Sequence, residues 1–74
     1  MSVKVLDAHV RSKPGIACID LMGEISAQAE DVLNQAYEEA VGANPGTILL
    51  NFSGVEYINS TGIALILKLV VKAG

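Results

Sequence analysis

The stretch Asn51-Phe52-Ser53-Gly54-Val55-Glu56-Tyr57-Ile58-Asn59-Ser60-Thr61-Gly62 decides the fold, because it joins an apolar strand to an apolar helix with hydroxyl residues and a glycine gathered where the helix begins. Thr47-Ile48-Leu49-Leu50 before it reads as a short buried strand that ends near Phe52, with Ser53-Gly54 as a turn. After it, Ile63 to Val71 are apolar at every position except Lys68. The beta-branched residues there would also suit a buried strand, but the length and the Ser60-Thr61-Gly62 opening favour a helix from about Thr61 to Ala73. A hydroxyl at a helix N-terminus lies beside unpaired backbone N–H groups and the positive end of the helix dipole, a setting that favours a phosphate or similar anion. Ser60 and Thr61 are therefore the first candidates for function, and plain helix capping is the competing reading.

Working outward, Val3, Val5, Leu6, Ala8 and Val10 alternate imperfectly and predict a first strand, at a sheet edge because Lys4, Asp7 and His9 interrupt it. Arg11-Ser12-Lys13-Pro14-Gly15 reads as a turn. A second strand from about Ile16 to Ile25 runs antiparallel to the first, with Gly23 marking a bulge or a close backbone approach. Ser26 is the expected N-cap of helix one, whose apolar positions Ala29, Val32, Leu33, Ala36, Tyr37, Ala40 and Val41 follow helical spacing. Gly42 and Asn44-Pro45-Gly46 stop it. The strand from Thr47 then returns parallel to the second, giving a strand-helix-strand unit.

Composition limits the function classes. With 74 residues the chain is one small domain with little room for a deep active site. A formal net charge of -3 and five scattered basic residues provide no basic, aromatic-studded face for nucleic acid. The N-terminus lacks the pattern of a signal peptide and no apolar run is long enough to span a membrane, so a cytoplasmic setting is expected. Cys18 sits in the apolar run Ile16-Ala17-Cys18-Ile19 and reads as a buried structural thiol. His9 is the only histidine, and no nucleophile elbow, Gly-rich phosphate loop or set of metal ligands appears. No enzyme, cofactor or metal is expected.

Taken in order, these pieces resemble the STAS domains, the anti-sigma factor antagonist family of bacteria. The resemblance covers the whole chain. Ser53-Gly54-Val55 followed by Asn59-Ser60-Thr61-Gly62-Ile63 is similar to the family's Ser-Gly-Val/Leu and Asp-Ser-Ser/Thr-Gly pattern, and Gly23-Glu24-Ile25 to the Gly-Glu-Ile/Leu that ends its second strand. The resemblance implies an α/β fold, with an N-terminal antiparallel strand pair followed by right-handed strand-helix units. It also implies that Ser60 is the phosphoacceptor for a partner that is both anti-sigma factor and serine kinase, with a phosphatase to reverse the step. Ser53, Gly54, Asn59, Thr61 and Gly62 would shape the switch turn and the partner-binding surface. The family often has aspartate where this chain has Asn51 and Asn59; asparagine still caps a helix but carries no charge and takes no proton from a serine.

Two other readings stay open beside the switch: an unphosphorylated STAS scaffold or oligomerisation module, and a STAS module that binds a nucleotide or other anion at the same helix start. Residues 1–74 form a single domain by this account. The expected helix two is apolar nearly all round and needs cover. The family's further strand and helix do not follow it, so truncation, a homo-oligomer or a domain-swapped dimer is expected.

Overall fold

The computed structural model describes residues 5–73, so the part of the expected first strand at Val3 and Lys4 lies outside the described residues. Strand β1 runs Asp7–Lys13, β2 Ile16–Ile25 and β3 Thr47–Ile58; helix α1 spans Glu30–Gly42 and α2 Ser60–Ala73. The sheet order is β1-β2-β3, with β1 antiparallel and β3 parallel to β2. This is the α/β arrangement expected from the sequence, with β1 at one edge and β3 at the other.

The β1–β2 hairpin is tighter than expected. Arg11 to Lys13 belong to β1, and only Pro14 and Gly15 form the turn, closed by the Lys13–Ile16 pair. Pro presets its own φ and Gly15 takes a φ of 84°, which an L side chain rarely adopts. β2 supplies the centre of the core: Ala17, Ile19, Leu21 and Ile25 are buried on one face, against Leu33, Ala36 and Ala40 of α1 and Leu69 of α2. Burying a side chain the size of Ile19, Leu21, Ile25 or Leu33 stabilises by roughly 1.5–3 kcal/mol each. The alternate β2 residues Cys18, Asp20 and Met22 point to the opposite, open face. Cys18 is accordingly half-buried on that open face and not a core thiol.

Two expected boundaries move. Ser26 does not cap helix one: its side chain makes no cap hydrogen bond, and a 3-10 turn at Ala27–Ala29 intervenes before α1 begins at Glu30. β3 does not end at Phe52 with a Ser53-Gly54 turn but continues through Ile58. It does so by taking up two extra residues against β2. The register is Asp20 with Asn51, then Met22 with Gly54, then Glu24 with Tyr57. Each extra residue flips the side-chain alternation. Thus Ile48 and Leu50 face the core, and so does Val55, although it lies at the opposite parity.

Gly23 behaves as expected. Its φ is 103°, and a Cβ there would lie 2.7 Å from the Val5 carbonyl oxygen. α2 covers less than its composition demands. Among its described residues, Gly62 and Leu69 are buried, whereas Ile63, Leu67, Val70 and Val71 are exposed.

Candidate functional site

The candidate site is the start of α2. β3 delivers Ile58 opposite Ile25, and the next residue, Asn59, donates its backbone N–H to the Ile25 carbonyl at 3.3 Å. Asn59 is the N-cap: its side-chain Oδ1 accepts the N–H of Gly62 at 2.8 Å, and its carbonyl accepts the N–H of Ile63 at 2.9 Å. Capping therefore falls to Asn59, which frees Ser60 and Thr61 from that task. Both are exposed residues of the first helical turn, and their backbone N–H groups have no intrahelical partner. Among the described residues none is hydrogen-bonded to the Ser60 hydroxyl.

Gly62 is where the helix meets the sheet. It is buried, and a Cβ on it would collide with the Ile25 carbonyl oxygen and lie 2.7 Å from the Ile25 carbonyl carbon. The absence of a side chain there lets the helix start sit directly on the end of β2. Asn59, Ser60, Thr61 and Gly62 thus form one corner seated on the end of β2.

Ser53 and Gly54 belong elsewhere. They lie in β3 at the level of Asp20 and Met22, three β2 residues short of Ile25 and so roughly 10 Å along the sheet from the corner. Gly54 is required by close approach: a Cβ would meet the Met22 side chain at 2.6 Å and the Leu21 carbonyl oxygen at 2.9 Å.

A polar cluster on the open face accompanies them. Arg11 from β1 donates to the Asp20 carboxylate through Nε at 2.6 Å and Nη2 at 3.0 Å, and Asn51 from β3 donates through Nδ2 at 2.8 Å. The Arg11 and Asn51 hydrogen bonds hold the Asp20 carboxyl down at about 2 against an ordinary 3.8. The sequence does not mark these partners as such, because Arg11 looks like a turn residue. The signal is the Pro14-Gly15 pair: a two-residue turn places Arg11 opposite Cys18, diagonal to Asp20 on the same face.

Ser60 and Thr61 thus present a pair of exposed hydroxyl residues at the start of a helix that Asn59 caps. The sequence profile of the STAS domain matches residues 7–74, and the chain belongs to the STAS domain family. Among solved structures, that of an anti-sigma factor antagonist from Mycobacterium paratuberculosis is similar, with a TM-score of 0.79 and 25% sequence identity. The match covers 93% of this chain and 59% of that chain, so the present chain spans less than two thirds of that structure's length. No curated protein matches the chain. Among the described residues no helix is long and apolar enough to cross a membrane.

Proposed function

We propose that this STAS domain is an anti-sigma factor antagonist, a cytoplasmic protein-binding module switched by phosphorylation of Ser60. The observation that carries the reading is the division of labour at the α2 start, where Asn59 caps the helix and leaves the neighbouring Ser60 hydroxyl exposed. A phosphate on Ser60 adds about -1.5 to -2 charges beside free N–H groups and the positive end of the α2 dipole, so the domain itself tolerates it. A partner seated on the corner meets the full change in charge and bulk. Tyr57, Ile58 and Ile63, exposed apolar residues flanking Ser60 in sequence, would supply the contact that the phosphate disrupts. The partner is an anti-sigma factor with serine kinase activity, and a phosphatase resets the switch. The domain binds and is modified; it catalyses nothing itself.

The test is incubation with ATP and candidate kinase partners, with the phosphate mapped by mass spectrometry. Phosphate on Ser60, absent from Ser60→Ala, supports the reading; phosphate elsewhere, or none with a partner that binds, contradicts it.

A second reading, a self-associating scaffold, draws on a different observation. β3 forms an outer sheet edge, and Leu49, Leu67, Val70 and Val71 are exposed apolar residues. In this reading residues 1–74 form one domain completed by a second copy. The mass in solution separates the two, since a monomer at high concentration leaves the scaffold without support.

A further inference from the structure

We propose that Asn51 is a positioning residue for the Ser60 switch: clamped to Asp20 across strands, it fixes the first β3 bulge and thereby the level at which Asn59 and Ser60 leave the sheet. The proposal rests on the reading of Ser60 as acceptor and adds what aims it.

From Ile16 with Thr47 to Asp20 with Asn51, β2 and β3 run in step. The first extra residue enters immediately afterwards, at Phe52-Ser53, before Gly54 pairs with Met22. Asn51 uses both ends of its amide at this point. Its Nδ2 donates to Asp20 Oδ1 at 2.8 Å, and its Oδ1 accepts the backbone N–H of Ser53, inside the bulge, at 3.1 Å. Asp20 is held in turn by Arg11 from β1, so all three strands are tied at one level.

Everything downstream depends on that step. The parity change turns Val55 to the core and, with the second extra residue, brings Ile58 opposite Ile25. Only then does the Asn59 N–H reach the Ile25 carbonyl and Gly62 seat against it. Ironing out the first bulge would slide the end of β3 by one residue, roughly 3.3 Å, and turn Val55 to the open face. The chemistry at position 51 is specific. An amide offers a donor and an acceptor, whereas a carboxylate offers acceptors alone and would face Asp20 as a like charge.

The test compares Asn51→Ala with the exchanged pair Asp20→Asn/Asn51→Asp, in which the amide and carboxylate trade strands. Amide hydrogen exchange is followed at Asn59 and Gly62 and at Leu33, Ala36 and Ala40 of α1, together with the rate of Ser60 phosphorylation. Asn51→Ala is expected to lower protection at Asn59 and Gly62 about tenfold beyond any change in α1, and to slow phosphorylation in proportion. The exchanged pair should restore both. A uniform loss across α1 and α2, no change at Gly62, or failure of the exchanged pair to rescue would overturn the proposal. If Asn51→Ala does not fold, Asn51→Gln, which keeps the amide but displaces it by one methylene, carries the same comparison. Should the exchange pattern appear while Ser60 of the parent chain takes no phosphate, the acceptor reading falls and the coupling of Asn51 to the α2 start stands.

Discussion

The side chain of Asn59 accepts the backbone N–H of Gly62 at 2.8 Å, closing the first turn of α2 across the two residues that carry exposed hydroxyls. The cap and the proposed acceptor are thus neighbours with separate tasks. The separation makes them testable one at a time.

Asn59→Ala removes the cap acceptor and is expected to cost about 1 kcal/mol of stability, whereas Asn59→Asp keeps an acceptor, adds favourable charge at the helix start and should be neutral or stabilising at low salt. Urea denaturation of the two variants against the parent checks the difference.

Gly62→Ala sets two effects against each other. Alanine is the better helix former by up to about 1 kcal/mol, but the new methyl collides with the Ile25 carbonyl, a backbone group that cannot swing away. Overpacking of this kind costs about 1–3 kcal/mol, so net destabilisation is expected, and it should appear in thermal unfolding even though the substitution raises helix propensity.

In α2, Leu69 is 5% exposed and Leu67 58%. Leu69→Ala should therefore lose about 2–5 kcal/mol and Leu67→Ala about 0.5 kcal/mol or less, measured by chemical denaturation of the monomer. If a second copy covers Leu67, its truncation will instead shift the mass in solution.

Asp20 sets an acid dependence. Folding lowers its pKa from 3.8 to about 2, so the unfolded chain binds the proton more tightly. The stability this carboxylate contributes is complete above about pH 5 and is lost as pH falls from there through 2. Asp20→Asn should flatten that part of the stability profile, with little change in its shape between pH 6 and pH 8. Stability measured at a series of pH values in both proteins checks it.

Where local chemistry was consistent with the fold, the elements were legible in the sequence. The apolar run bounded by Gly15 and Ser26 is β2 residue for residue, and the spacing of Leu33, Ala36 and Ala40 marks the buried side of α1. The α2 start was legible because cap, hydroxyls and glycine are contiguous. What escaped is long-range. Residues Ser53 to Ile58 break the two-residue period twice, so they look like a turn, and only pairing with β2 shows them to be a bulged strand. Ser26 has the right residue type for a cap, yet a 3-10 turn takes up the chain before α1 starts. The Arg11–Asp20–Asn51 cluster joins three strands, and spacing along any one of them does not reveal it.

The most direct test of the account is the affinity of the proposed kinase partner for this chain before and after stoichiometric phosphorylation, with Ser60→Ala treated in parallel. The account predicts that phosphorylation weakens binding at least about tenfold, a differential near 1.4 kcal/mol, with no loss of domain stability, and that Ser60→Ala binds equally well before and after treatment. Unchanged affinity with Ser60 fully phosphorylated would contradict it.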